Sequence, residues 1–175
     1  NYAVNFADGT LTISPAGVSA IAVNLTGSTT KVYDGTTAAT LTPGNFALTG
    51  FVTGEGASVS KTTGTFDNAN AGTGKTVTAT LSNSDFAATG ATVLSNYALP
   101  TSASGAIGSI TRAPLNATLT GSSTKVYDGS TAATLAPGNF ALTGFVNAEG
   151  ASVGKTTGTF DNANAGAGKT VTSTL

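Results

Sequence analysis

Gly74-Lys75-Thr76-Val77-Thr78-Ala79-Thr80-Leu81 alternates without a break, with Val77, Ala79 and Leu81 on one side and Thr76, Thr78 and Thr80 on the other. Successive side chains of an extended chain point to opposite faces, so this run reads as a half-buried strand. The same octapeptide returns at Gly168 to Leu175 with one exchange, Ser173 for Ala79.

The octapeptide closes a longer repeat. Ser28 to Leu81 recurs 94 residues on as Ser122 to Leu175, without a gap and with 46 of 54 positions identical. The eight differences exchange small or weakly polar residues, such as Thr29 for Ser123, Thr42 for Ala136 and Ser60 for Gly154. No large apolar residue changes. A fixed period with so little divergence marks a tandem array, and each repeat is long enough to bury a core of its own. Residues 1–16 read as the closing strands of a preceding repeat, because Asn1-Tyr2-Ala3 matches Asn96-Tyr97-Ala98 and Leu11-Thr12-Ile13 resembles Ser109-Ile110-Thr111. Residues 17–112 form a complete repeat and residues 113–175 a partial second one.

Within the complete repeat, strands are expected over 18–25, 30–33, 37–41, 46–52, 57–66 and 75–81, with closing strands over 96–99 and 106–111. Asn1 to Phe6 and Thr10 to Ile13 alternate in the same manner. Asp34-Gly35, Pro43-Gly44-Asn45 and Gly54-Glu55-Gly56 punctuate them as turns, and Asp67 to Gly74 is a polar loop. No stretch keeps a helical period, and Thr, Val and Gly disfavour helices. The expected fold is all-β: tandem immunoglobulin-like β-sandwich modules of about 94 residues. A β-grasp-like module or a small barrel, with mixed strand pairing, is the alternative. The candidate core is Val32, Leu41, Phe46, Leu48, Phe51, Val59, Phe66, Val77, Leu81 and Phe86, with Tyr33 and Tyr97 half-buried.

Composition limits the chemistry. Charged residues make up 9% of the chain, against about 25% in ordinary domains, and the net charge is −1. Without a basic patch, nucleic acid and anionic membranes are not expected partners. No apolar run approaches the roughly 18 residues of a membrane-spanning helix. Cys and His are absent, which removes thiol nucleophiles, disulfides, zinc sites and the commonest general base. The sequence has no initiator Met or targeting motif and reads as a window of a longer chain. Its phase, closing strands first and an open repeat last, also fits exchange of Asn1 to Ile13 between copies; continuation within one chain is the preferred expectation.

Lys31-Val32-Tyr33-Asp34-Gly35-Thr36-Thr37, Phe66-Asp67-Asn68 leading to Gly72-Thr73-Gly74-Lys75-Thr76-Val77, and the ending Asn96-Tyr97-Ala98-Leu99 carry a family resemblance. This repeat resembles the YDG-type repeats, and the related MBG repeats, of very large bacterial surface proteins of the filamentous-haemagglutinin kind. The resemblance covers nearly the whole chain. It implies tandem all-β modules on exported adhesins, and no catalytic residues to carry over.

Four constellations bear on chemistry. Ala69 to Thr76, like Ala163 to Thr170, fits a relaxed P-loop pattern, but a phosphate-binding loop opens a helix and here a strand follows, so a hairpin loop is the expectation. Asp34, Asp67, Asn68 and Asn70 are the candidate metal ligands, for calcium alone. Calcium takes six to eight oxygens, so Asx-turn roles are favoured and no cofactor is expected. Lys31 or Lys75 could form an amide with Asn68 or Asn96, against the commoner role of Lys as an edge-blocking strand residue. Thr76, Thr78 and Thr80 would present a flat hydroxyl ladder.

The functional expectation is a non-catalytic structural segment of an extracellular adhesin stalk or filament on the bacterial surface. Its partners would be neighbouring repeats or copies through β-strand contacts, and a glycan or surface receptor. A carbohydrate- or surface-binding β module is the alternative.

Overall fold

A computed structural model describes residues 1–5, 7–13 and 21–175. The chain forms two compact units: Asn1–Lys31 with Thr36–Thr111, and Val32–Gly35 with Arg112–Leu175. Strands are the regular elements throughout, joined by single-turn 3₁₀ segments, and no α-helix occurs among the described residues.

The strands of the first repeat are β1 (Ala22–Leu25), β2 (Thr29–Val32), β3 (Ala38–Thr40), β4 (Phe46–Thr49), β5 (Glu55–Val59), β6 (Thr63–Phe66), β7 (Gly72–Thr80), β8 (Phe86–Gly90) and β9 (Ser102–Thr111). Seven of them make one open sheet in the order β3-β6-β7-β9-β1-β4, with β2 also paired to β9. Strands β5 and β8 form a separate antiparallel pair. Both sheets contribute to the core: Val23, Leu25, Leu41, Phe66, Val77, Ala79 and Ile110 from or beside the large sheet, Val59 and Phe86 from the small one. The fold is therefore all-β and sandwich-like, with open sheets and no barrel. The mixed pairing expected of the alternative folds is nevertheless present, since β1 runs parallel to β9 while β7 runs antiparallel to it.

The alternation of Lys75 to Leu81 holds in space. Lys75, Val77, Ala79 and Leu81 are buried, and Thr76, Thr78 and Thr80 are exposed. Strand β7 starts earlier than the sequence suggests, at Gly72 within the expected loop, because β9 supplies partners there: Gly72 faces Ile110 and Thr73 faces Ser109.

Several expectations are corrected. Val32 is exposed, because β2 points Thr29 inward (its Oγ1 donates to Thr40 O at 2.7 Å) and alternation then turns Val32 out. The expected strand over 57–66 is two strands in different sheets. The chain leaves β5 at Ser60, whose N–H donates to Asp85 O, and joins the large sheet after Thr62, whose carbonyl accepts from Leu41. Residues 96–99 give only an isolated bridge at Tyr97 after a 3₁₀ turn at Leu94–Asn96. Of the remaining core candidates, Leu48 and Phe51 are half-buried and Tyr97 is fully buried. Ile21, Val23, Leu25 and Ile110 belong to the core although the candidate list omits them. Residues 18–20 of the first expected strand, residues 14–17 before it, and Phe6 lie outside the described residues; the strands expected over 1–6 and 10–13 do not form in the described part of 1–13.

The second repeat holds β10 (Asn116–Leu119), β11 (Ala132–Thr134), β12 (Phe140–Thr143), β13 (Thr157–Phe160) and β14 (Val171–Thr172), in two small sheets, β10-β12 and β11-β13-β14. Registers repeat residue for residue: Ala22 pairs with Thr49 as Asn116 pairs with Thr143, and Ala38 with Thr65 as Ala132 with Thr159.

Truncating Leu41, 1% exposed, to Ala should destabilise the first unit by about 2–5 kcal/mol. Thr40→Ala, one position along on the outer face, should stay within about 0.5 kcal/mol. Urea unfolding of the two variants checks the assignment; equal shifts would refute it.

Candidate functional site

The hairpin between β6 and β7 gathers most of the candidate residues. It leaves β6 at Phe66, turns through Asp67 to Ala71, and re-enters the sheet at Gly72. Gly74 takes a left-handed φ of 65°, and the β7–β9 register shifts on either side of Lys75. Past this irregularity, plain alternation puts Lys75 on the inner face in line with Val77 and Ala79. A buried ammonium needs partners, and the turn supplies them. Lys75 Nζ donates to Asn68 Oδ1 at 2.6 Å and lies 3.1 Å from Asp67 Oδ1. The turn binds itself as well, Asn68 N–H donating to Asp67 Oδ1 at 2.8 Å and Asn70 N–H to Asn68 Oδ1 at 3.0 Å. The Lys75 ammonium holds the Asp67 carboxyl below its ordinary value; burial opposes this, and the Asn68 N–H adds to it.

The second repeat rebuilds the arrangement. Lys169 Nζ donates to Asn162 Oδ1 and sits 3.8 Å from Asp161 Oδ1, with Asn162 N–H on Asp161 at 2.8 Å.

The P-loop-like run Ala69 to Thr76 is thus a β-hairpin that opens no helix. Among the candidate metal ligands, Asp67 and Asn68 turn their oxygens toward Lys75 and the turn amides, and Asn70 joins them through its backbone. Asp34 falls in the segment Val32–Gly35 and groups with the second unit. No cluster of three or more acidic residues that could hold a metal occurs among the described residues. For the amide idea, the structure brings together Lys75 and Asn68. Lys31 instead donates to Thr36 Oγ1 at 2.7 Å. Lys75 Nζ meets the amide oxygen of Asn68 as a hydrogen-bond donor, with the Asp67 carboxylate 3.1 Å away.

Two further features stand near the closing strands. Tyr97 is buried, its ring 4.9 Å from that of Phe51, and its hydroxyl donates to Glu55 and accepts from Val52 N–H. The bond to Glu55 raises the Tyr97 pKa, and burial adds to it. A Tyr held this way fixes the closing segment and offers no open ring face. On the outer face of the large sheet, Thr65 pairs with Thr78, Thr78 with Ser104 and Thr80 with Ser102, all exposed. The ladder expected on β7 therefore extends across β6, β7 and β9.

Sequence reasoning missed Asn45. This buried side chain accepts from Thr42 N–H at 2.9 Å and donates to Thr26 O at 3.0 Å, tying the Pro43–Asn45 turn to the end of β1. The turn signal Pro-Gly-Asn was visible; its anchoring to β1 depends on a partner nineteen residues away.

Because its folded pKa is lowered, Asp67 contributes stability that is present above the unfolded value near 3.8 and lost as pH falls through the folded value. NMR titration should place the Asp67 carboxyl below 3.8, and Lys75→Met should raise it. An unmoved titration would remove Lys75 as the cause.

The model of the YDG domain family matches residues 15–105 and 111–175. No curated protein and no solved structure matches the chain. The two matched segments follow the two repeats, and together they span well over half of the sequence. The chain belongs to the YDG domain family.

Proposed function

We propose that this chain is a structural repeat segment of an extracellular adhesin stalk or filament on the bacterial surface, of the filamentous-haemagglutinin kind, and that it performs no catalysis. One observation carries the reading: two copies with 46 of 54 identical residues keep the same strand registers. Selection for chemistry at one site gives no reason to duplicate a module nearly unchanged. Selection for length does, because each copy adds extent at constant surface chemistry. Strands of up to ten residues such as β9 give each module about 30–35 Å along that direction. The polar side chains singled out above are spent on the fold: Lys75 and Asp67 on a hairpin, Tyr97 and Glu55 on closure, Asn45 on a turn.

Antibodies raised against the folded first repeat should label intact, unpermeabilised cells, and the denatured native polypeptide should run far above the 16.9 kDa of these residues. Labelling only after permeabilisation would overturn the reading.

The Ser/Thr face across β6, β7 and β9 favours a second reading, a module that binds carbohydrate or an ordered surface through regularly spaced hydroxyls. In that case Thr78→Lys should abolish glycan-array binding while leaving the fold intact. An array without signal for the unaltered chain removes this reading.

A further inference from the structure

The first repeat carries a shorter likeness inside itself. Residues 39–50, Ala-Thr-Leu-Thr-Pro-Gly-Asn-Phe-Ala-Leu-Thr-Gly, return as residues 79–90, Ala-Thr-Leu-Ser-Asn-Ser-Asp-Phe-Ala-Ala-Thr-Gly, with seven of twelve positions identical. The structure repeats with them. Leu41 N–H donates to Thr62 O and Leu81 N–H to Thr101 O, both at 2.8 Å. A 3₁₀ turn follows each leucine, Pro43–Asn45 and Asn83–Asp85. The last side chain of each turn folds back to the residue before it: Thr42 N–H donates to Asn45 Oδ1 at 2.9 Å, and Ser82 N–H to Asp85 Oδ2 at 2.8 Å. A buried phenylalanine then opens a strand, Phe46 for β4 and Phe86 for β8. Phe46 lies opposite Leu25 of β1, and Phe86 opposite Val59 of β5. One residue further, Thr26 N–H donates to Asn45 O at 2.8 Å and Ser60 N–H to Asp85 O at 2.9 Å.

Strands this alike raise a pairing problem. Ladder hydrogen bonds come from the main chain and carry no sequence, so they do not tell β4 from β8. The two differ at the turn. Asn45 Nδ2 donates to Thr26 O at 3.0 Å. Gly27 leaves the room: its φ is 80°, and a Cβ there would stand 3.3 Å from Asn45 Nδ2. The second repeat does the same, with Asn139 Nδ2 donating to Thr120 O at 3.0 Å beside Gly121 at a φ of 74°. The other turn is built differently. Asp85 has no side-chain donor, Ser60 Oγ donates to Asp85 O at 3.2 Å, and Lys61 stands in the Gly27 place with its ammonium 3.8 Å from Asp85 Oδ2.

We propose that the repeat is built from two copies of one turn-and-strand element, and that two residue pairs, Asn45 with Gly27 and Asp85 with Lys61, sort these elements onto their own strands. Set on β1, the Asp85 turn would put a carboxylate oxygen where Asn45 has its Nδ2. It would face the Thr26 carbonyl with two acceptors and no proton between them. Set on β5, the Asn45 turn would leave Lys61 without its carboxylate, and would bring a long side chain to the place that Gly27 keeps clear. An exposed ion pair contributes little, so Asn45 does most of the sorting. A chain that presents near-identical strands over and over needs such a device, because misassembly between like segments is the characteristic failure of repeat proteins. The inference rests on these bonds and not on the stalk reading, so either can fail alone.

The test is a competition for β1. The chain has no cysteine, so Asn24→Cys, Ala47→Cys and Ala87→Cys together supply its only thiols. Ala47 faces Asn24 in the register, and Ala87 is the counterpart of Ala47 on β8. The reduced, unfolded chain is refolded under oxidising conditions, and peptide mapping reads the disulfides within and between chains. The bridge from position 24 to 47 should exceed that from 24 to 87 by about tenfold or more. Adding Asp85→Asn with Lys61→Gly gives the β8 turn the chemistry of the β4 turn, and the bridge from 24 to 87 should then rise about tenfold. A bridge that stays at its former level overturns the sorting. Urea unfolding of single variants gives a second reading. Asn45→Asp should lower the folding constant of the first unit about tenfold, and Asp85→Asn by less than about threefold. Equal losses overturn the role of Asn45.

Discussion

The insertion of β9 between β7 and β1 is the interaction on which the rest of the repeat depends. A β-sheet satisfies backbone groups only where a neighbouring strand exists, and an isolated pair of short strands is marginal in water. With β9 present, β7 extends to nine residues, β2 has a partner, and β1-β4 joins β3-β6-β7 in one sheet. Up to Leu175, the second repeat pairs β10 with β12 and β11 with β13 and β14, as the first pairs β1 with β4 and β3 with β6 and β7.

Burying a strand between two others imposes a steric condition on its sequence. Gly105 and Gly108 answer it by letting the backbone approach Leu25 and the Phe66 ring. Lys75 reflects the same crowding. Its carbonyl lies against Gly108, its backbone sits at the register shift, and its side chain turns into the interior. An inward ammonium would be costly alone, and the Asp67-Asn68 turn answers it with a carboxylate and an amide oxygen. The polar Asn/Asp loop is thus part of the strand-pairing machinery, and its conspicuous sequence reflects that duty.

Much of this was legible in the sequence. The alternation at Lys75 to Leu81 gave the correct faces, the turn signals fell near the observed turns, and the repeat and its family were visible by inspection. Val32 was misread because an apolar residue in a strand was assigned inward, while the phase of β2 is set by Thr29 and its bond to Thr40. The run over 57–66 was misread as one strand because alternation does not report which sheet a strand joins. The break at Ser60 to Thr62 comes from two different partners, β8 and β3. The inward Lys75 was flagged as a residue that could meet Asn68, but its burial was hidden, since a charged residue reads as solvent-facing until its partners are located.

The sequence by itself determined the all-β class, the 94-residue period, the inward and outward faces of β7 and the YDG family, because these rest on local alternation and on identity between copies. Only the tertiary structure decided the strand order, the parallel pairing of β1 with β9, the two-sheet split of 57–66 and the partners of Lys75. These are long-range pairings, and an extended segment carries the same local pattern whichever neighbour it meets. A strand is completed by its partner, and a local sequence does not contain its partner.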